Sequence, residues 1–238
     1  MEKKVINVPE LQEKLYKRLQ PSGWGDVLKA FLLSNDFVKI LEVLVKDTDE
    51  GKHFVPTLKL VFRALEECPY KDTRLIMLGQ DPYPSAVNIA DGLAFSCSLT
   101  GKAQPSLQYM SDEIKRTVYP NQKYTLDVDL LRWAHQGILL LNTALTVTLR
   151  HPGTHYLLWR PFLVYLIDTI IWNPEMEHVV WVFMGNKAKE YSDTVPDNFH
   201  KLETVHPAAA AHAKAEFWSS DDLFNKINLK IKGKKIIW

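Results

Sequence analysis

A six-residue turn, Gly79-Gln80-Asp81-Pro82-Tyr83-Pro84, combines an acidic side chain with a backbone suited to a ligand site. It follows an apolar run at 75–78 that predicts a buried strand. Gly79 allows a close turn and Pro82 cannot continue a strand ladder, so the chain leaves the sheet here. The turn therefore brings the Asp81 carboxylate and several free N–H groups to the carboxyl end of a strand, where open α/β sheets bind ligands. A lone Asp-Pro turn would indicate only an ordinary strand exit.

Two further polar side chains follow apolar runs in the same way. Asn142 comes directly after the run at 138–141, and His206 comes directly after the run at 202–205. Because the carboxyl ends of parallel strands meet at one edge of a sheet, we expect Asp81, Asn142 and His206 to converge there. A carboxylate, an amide and an imidazole N–H at one point can stabilise charge and read the edge of a ligand by hydrogen bonding.

The alternation of short apolar runs with helical patterns predicts the elements that must position these residues. We expect an α/β fold with a central four-stranded parallel sheet flanked by helices, in a single domain over 1–238. The N-terminal region is predicted to be helical, with a helical extension over 1–23 and a helix that opens at Pro56. The predicted strands lie near 75–78, 138–141, 179–183 and 202–205, and later helices near 106–118, 126–133, 159–172 and 213–227.

Composition narrows the class of protein without identifying it. A chain of 238 residues with 46% hydrophobic residues can bury one sizeable core. The net charge of +1 gives no general nucleic-acid footprint, so a DNA site would depend on local patches. Cys68 and Cys97 are too few and too far apart for a zinc knuckle or a disulfide framework, and we predict no metal or cofactor. With no signal peptide and no run of about 20 apolar residues, we expect a cytoplasmic monomer that does not contact membranes and is nucleoid-associated if bacterial.

Four segments together resemble family 1 uracil-DNA glycosylases. They are the turn at 79–84, Asp-Gly-Leu-Ala-Phe-Ser at 91–96, the stretch at 139–147 that contains Asn142, and Val-His-Pro at 205–207. The resemblance runs from about Trp24 to the C-terminus. It implies a monofunctional enzyme of base excision repair that flips a uracil nucleotide out of DNA and hydrolyses its N-glycosidic bond. An abasic site would remain, and no cofactor or metal would be needed.

The resemblance also implies roles for the residues of the pocket. Asp81 would stabilise the cationic sugar and position the attacking water, and His206 would donate a hydrogen bond to uracil O2. Asn142 would read uracil N3–H and O4 with its amide. Phe95 would stack on the base, and the ring of Tyr83 would occupy the place of a thymine 5-methyl group.

Other positions are implied to lie along the base and the DNA backbone. Gln80 would contribute its backbone N–H to the base pocket. Ser106 matches a phosphate-contacting Pro-Ser loop, although it is also a candidate helix cap. Gly185-Asn186 resembles a Gly-Ser loop that contacts phosphates, and Pro207 and Ala210 belong to the DNA-facing loop after His206.

The loop after the His-Pro pair departs from the family. Its usual pattern is Ser-Pro-Leu-Ser, whose leucine fills the space of the flipped nucleotide, but residues 208–211 are four alanines. Ala210, in the leucine position, is too small to act as that wedge, and an alanine run after a proline favours helix. Pro84 also stands where cellular members commonly have a histidine that helps to hold the attacking water. We therefore expect preference for single strands or unstable pairs, unless His212 or Phe217 replaces the wedge.

Two other functions compete with this interpretation. A non-catalytic DNA-binding protein, such as a replication accessory protein, could use the same fold, and the altered loop favours it slightly. A hydrolase of free nucleosides is the second alternative, although the long loops suit a polymer better. The resemblance further implies that a protein inhibitor that mimics DNA is a candidate partner.

Overall fold

The computed structural model describes residues 6–85 and 89–238 and contains a four-stranded parallel sheet. Its strands are β2 (Leu75–Gly79), β3 (Ile138–Asn142), β5 (Val180–Met184) and β6 (His200–Thr204). They lie in the order β3-β2-β5-β6, and a separate antiparallel pair joins β1 (Phe54–Val55) to β4 (Val147–Thr148). The predicted α/β class and four-stranded parallel sheet are confirmed.

Helices cover both faces of this sheet. In the described residues they are α1 (Val8–Leu19), α2 (Trp24–Val27), α3 (Lys29–Leu32), α4 (Asn35–Asp49), α5 (Arg63–Glu67), α6 (Pro105–Thr117), α7 (Leu131–Ala134), α8 (Tyr156–Ile171), α9 (Asn186–Lys189), α10 (Pro207–Ala213) and α11 (Leu223–Lys230). None of them is long and apolar enough to cross a membrane.

The inner strands are apolar on both faces because each face packs against a helical layer. Ile76 and Leu78 on β2 join one core with the buried faces of α1, α4 and α8. Leu75 and Met77, the alternate residues, join a second core with α6, α7 and α11. Helix α1, within the predicted extension, buries Leu15 and neighbouring side chains in the first of these cores.

The helix predicted to open at Pro56 is wrong. Residues 58–62 form turns, and helix begins only at Arg63. The backbone carbonyls of Leu58 and Lys59 accept hydrogen bonds from the Arg18 guanidinium, at 3.5 and 2.7 Å. A helix would have used these carbonyls for its own amides.

The helix predicted near 126–133 shrinks to the single turn α7. The carbonyls of Val128 and Asp129 accept bonds from Cys97 N, at 2.8 Å, and from Ser96 Oγ, at 2.9 Å. These residues therefore support a neighbouring loop and do not continue a helix.

The helix predicted near 213–227 is wrong over its first half, because α10 ends at Ala213 and helix resumes only at Leu223 in α11. Lys214 adopts a left-handed conformation with φ +48° and ends α10, while the Trp218 indole donates to Val205 O at 3.0 Å. This single hydrogen bond ties the connecting segment to the end of β6.

Strand register brings the predicted chemistry to one edge. Gly79 pairs with Asn142 at the ends of β2 and β3, and Met184 pairs with Thr204 at the ends of β5 and β6. Because all four strands run in the same direction, the residues that follow them leave the sheet side by side.

Candidate active site

A cleft of about 430 Å³ opens at the carboxyl edge of the sheet. This volume lies within the usual range of ligand pockets. The six residues predicted to perform catalysis or bind the base all line it, and Ser106 lies on its wall. The six are Gln80, Asp81, Tyr83, Phe95, Asn142 and His206.

Asp81 presents a half-buried carboxylate with a protein donor already bound. Its Oδ2 accepts a hydrogen bond from Gly153 N at 2.7 Å. Burial raises the pKa of Asp81 above its ordinary value, while the hydrogen bond from Gly153 and the nearby Tyr156 hydroxyl act in the opposite direction. The carboxylate is thus moderately desolvated but stabilised in its charged form by two neighbours.

His206 is held as a neutral imidazole at the start of α10. Its Nδ1 accepts a hydrogen bond from Ala208 N at 3.1 Å, so in the neutral ring the proton resides on Nε2. Burial lowers the pKa of His206 to about 4, and the nearby His212 acts in the same direction. The site therefore offers an uncharged N–H donor at neutral pH.

The side chains of Asn142 and Phe95 both pack against the Cα of Gly79. A Cβ at Gly79 would overlap Asn142 Oδ1 and lie 3.2 Å from Phe95 Cζ. Glycine at position 79 is therefore required for the amide and the ring to reach the floor of the cleft. Within residues 6–85 and 89–238, the Asn142 amide forms no side-chain hydrogen bond, which leaves its donor and acceptor available to a ligand.

Phe95 is fixed in an unusual backbone conformation. Its φ is +68°, a left-handed value rarely adopted by bulky residues, and its side chain is buried. The Tyr83 hydroxyl donates to Phe95 O at 3.2 Å, and the Phe95 and His206 ring centroids are 5.5 Å apart. The two aromatic residues and the imidazole thus form one packed wall.

A buried carboxylate, Asp91, holds the loop that carries Phe95. Asp91 accepts hydrogen bonds from Leu93 N at 3.2 Å, from Ser98 N at 3.0 Å and from the Ser96 hydroxyl. It also pairs with Arg63 Nη1 at 3.0 Å while being fully shielded from solvent. The sequence indicated Asp91 only as part of the 91–96 motif, although an Asp-Gly pair before a loop is itself a signal for this supporting role.

The residues predicted to contact the DNA backbone differ in their exposure and in their distance from the cleft. Ser106 is the second residue of α6 and buried, and Gln104 occupies the N-cap, so the capping alternative for Ser106 is wrong. Pro207 is the buried first residue of α10. Gly185 lies behind the cleft, and Asn186 is exposed at the start of α9.

Gly185 is confined by two pocket residues. A Cβ at this position would overlap the Gln80 amide and lie 2.7 Å from His206 Cβ, and its φ is +85°. Gln80 and His206 therefore pack directly against the Gly185 backbone, and a larger residue at 185 would displace them.

The alanine run forms helix α10, as its composition predicts. Ala208, Ala211 and His212 line the cleft. Ala210 faces the opposite way, 9% exposed, in the core shared with α6. Its inclusion among the DNA contacts is corrected, because a buried methyl group offers almost no surface to DNA.

Two residues of the 151–156 segment were not predicted as site residues. Gly153 and Tyr156 both interact with Asp81. Gly153, between a proline and a threonine, indicated a tight turn. No local pattern indicated that its N–H would bind Asp81, 72 positions earlier in the chain. Across the described chain, no group of three His, Cys, Asp or Glu side chains is arranged to hold a metal ion.

Comparison with known proteins agrees with this geometry. A model of the uracil DNA glycosylase superfamily matches residues 65–232. A uracil-DNA glycosylase of Borrelia hermsii is 36% identical over 78% of this chain and 82% of its own length. The mimivirus uracil-DNA glycosylase structure has a TM-score of 0.82 at 24% identity, over 98% of this chain and 90% of that chain. A mimivirus variant solved in complex with UGI has a TM-score of 0.80 at 24% identity, over 90% and 87% of the two chains. The chain belongs to the uracil-DNA glycosylase superfamily.

Proposed function

We propose that this protein excises uracil from DNA by hydrolysing the N-glycosidic bond, which leaves an abasic site. The observation that carries the proposal is the convergence of Asp81, Asn142 and His206 on one cleft in a member of this superfamily. Because a duplex hides the bond, the nucleotide must first be flipped into the cleft. Uracil-DNA glycosylase is also the activity named for the curated relatives, and it makes a non-catalytic binding protein the less favoured alternative.

Bond cleavage separates charge, and the two sides of the cleft suit the two products. The sugar becomes cationic, which the Asp81 carboxylate can stabilise while it orients water for attack. The base leaves as an anion, which the His206 Nε2–H can stabilise without being charged itself. Removal of such a donor typically raises the barrier by about 2.7–4 kcal/mol.

Recognition of the base is assigned to the floor and walls of the cleft. The free Asn142 amide can match uracil N3–H and O4 together, whereas cytosine presents the reverse pattern. Phe95 supplies the stacking face, and the half-buried Tyr83 ring would collide with a thymine 5-methyl group. The Tyr83 hydroxyl is bonded to Phe95 O, so this ring cannot move aside without breaking that contact.

The test is release of base from labelled oligonucleotides that contain one uracil, with thymine and cytosine controls. We expect uracil alone to be released, and the rate to collapse in Asp81→Asn. Exposed Asp193 provides the matched control, because Asp193→Asn makes the same chemical change away from the cleft. DNA binding without release would favour a binding protein, and cleavage of free deoxyuridine would favour a nucleoside hydrolase.

The strand preference follows from the surface of α10. This helix presents two alanines and His212 to the cleft, and buries Ala210, so it offers no large apolar wedge. Phe217, 52% exposed, packs beneath the Arg116 guanidinium at 5.4 Å from its ring centroid. We expect faster cleavage of single strands and U·G pairs than of U·A duplexes, and a strong U·A preference would refute this. If either His212 or Phe217 replaces the wedge, its alanine variant will slow duplex cleavage selectively.

The partners and location of the protein are part of the same proposal. The mimivirus relative has been solved with the UGI inhibitor, and we expect an inhibitor that mimics DNA to bind the cleft of this chain. Weak binding by calorimetry is expected, because the usual leucine is absent. We expect a monomer in sedimentation and a cytoplasmic location in cell fractionation.

A further inference from the structure

The turn between β4 and α8 contacts the Asp81 carboxylate from outside the 79–84 segment. Gly153 N donates to Asp81 Oδ2 at 2.7 Å. The Tyr156 ring edge packs on the same glycine, since a Cβ at 153 would lie 3.1 Å from Tyr156 Cε2. That ring atom neighbours the carbon that carries the hydroxyl, and the hydroxyl lies near enough to the Asp81 carboxylate for each group to shift the pKa of the other.

Tyr156 is suited to act as a permanent donor. Burial raises the pKa of its hydroxyl far above the ordinary range, and the negative charges of Asp81 and Glu190 act in the same direction. The hydroxyl therefore stays protonated and is able to donate a hydrogen bond to Asp81. Lys187 Nζ lies 5.6 Å from the ring centroid, a cation–π contact that favours this position of the ring.

The residue before Tyr156 anchors the turn to the protein core. His155 is buried, with Nδ1 2.8 Å from Thr146 Oγ1 and Nε2 3.2 Å from Thr148 Oγ1. Its Nε2 also lies 3.5 Å from Asp47 Oδ2 on α4, and Thr146 accepts from the Trp159 indole at 2.7 Å. The turn is therefore tied to β4, α4 and α8, and its groups are held rigidly.

Pro84, three residues after Asp81, has no side-chain donor that could bind the Asp81 carboxylate. Arg150 N donates to Pro84 O at 2.7 Å, which keeps the turn against the catalytic loop. A partly desolvated carboxylate needs donors to remain charged, and the groups of this turn act on Asp81 together with its own backbone amide. The other titratable groups of the cleft, His206 and His212, are not among those that stabilise Asp81.

We propose that Tyr156 is a positioning residue for the reaction, whose hydroxyl acts with the Gly153 N–H to hold the Asp81 carboxylate ionised and oriented toward the cleft. The inference deepens the proposed function and rests on the role given there to Asp81. Tyr156 acts through Asp81 and touches no reacting atom.

The test compares Tyr156→Phe with Tyr165→Phe. The first change removes the hydroxyl and keeps the ring that packs on Gly153. The second makes the same change on the same helix, where the Tyr165 ring packs against Phe31 at 5.4 Å between centroids. Single-turnover uracil release should fall about tenfold in Tyr156→Phe, with DNA affinity unchanged, because the carboxylate is less well oriented. Tyr165→Phe should match the wild type.

The pH profile separates positioning from a structural role. Loss of a donor to the charged form raises the pKa of Asp81, so the acid limb of the rate profile should move to higher pH by about one unit. A rate within about twofold of wild type, or a rate loss without this movement, would overturn the inference. In an Asp81→Asn background, Tyr156→Phe should cause no further loss, and an additional tenfold loss would also overturn it.

A measurement without DNA keeps this inference separate from the proposed function. The carboxyl carbon of Asp81 can be followed by NMR, with its signal assigned through Asp81→Asn. A higher titration midpoint in Tyr156→Phe supports the inference even if the wild-type protein releases no uracil, and an unchanged midpoint overturns it. Absence of uracil release in the wild type would refute the proposed function alone.

Discussion

The free energy of unfolding should depend on pH through the buried, neutral imidazole of His206. Burial lowers the pKa of this imidazole to about 4, from its ordinary value of 6.5. Between these two pH values His206 is protonated in the unfolded chain and neutral in the folded protein. The free energy of unfolding therefore falls as the pH falls through 6.5, and this loss ends below about 4. The shift corresponds to about 3 kcal/mol in total, and to about 2 kcal/mol between pH 7.5 and pH 5.

Urea unfolding of the wild type and of His206→Gln at these two pH values isolates this contribution. Glutamine does not titrate, so the variant should lose about 2 kcal/mol less than the wild type on acidification. The chain has eight histidines, and the other seven are common to both proteins, so their contributions cancel. Equal pH dependence in the two proteins would refute the reasoning, as would an NMR titration of His206 near its ordinary pKa.

The same measurement has a consequence for activity. If His206 stays neutral down to about pH 4, its titration does not limit uracil release between pH 5 and pH 8. An acid limb in that interval would therefore belong to a group other than His206.

Three substitutions test the supporting structure. Gly185→Ala should lower uracil release about 100-fold, because its Cβ would displace two pocket side chains, whereas Gly51→Ala, with a similar φ but open space around it, should cost only about 1–2 kcal/mol of stability. Ala210→Leu should destabilise the protein by about 1–3 kcal/mol and leave U·A duplex cleavage no faster, since position 210 faces the core; faster duplex cleavage would show that the leucine reaches DNA. Asp91→Asn should lower the free energy of unfolding by about 1.5–3 kcal/mol in chemical denaturation, because it removes a buried charge that accepts several hydrogen bonds and pairs with Arg63, which keeps only Glu67 at 3.7 Å; a loss below about 0.5 kcal/mol would contradict this.

Local pattern explains why the sheet was predictable and several helices were not. The runs that became β2, β3 and β5 are short and apolar on both faces, a pattern typical of a covered parallel strand. The segment after Pro56 has helical spacing, yet its carbonyls bond to Arg18, a residue about 40 positions away. The helix expected near 126–133 was lost in the same way, to hydrogen bonds from Ser96 and Cys97. Long-range polar partners of this kind leave no periodic trace in a sequence.

The features of the candidate site also fall into those that the sequence predicts and those that depend on tertiary packing. The sequence alone determined the strand exits that carry Asp81, Asn142 and His206, because residue type and strand polarity place them at one edge. Only the tertiary structure decided that His206 is neutral, since its pKa depends on burial and on the Ala208 amide. The tertiary structure alone also turned Ala210 into the core and brought Tyr156 to Asp81. Protonation, burial and contacts between distant segments depend on how the elements pack, and packing is a property of the folded chain.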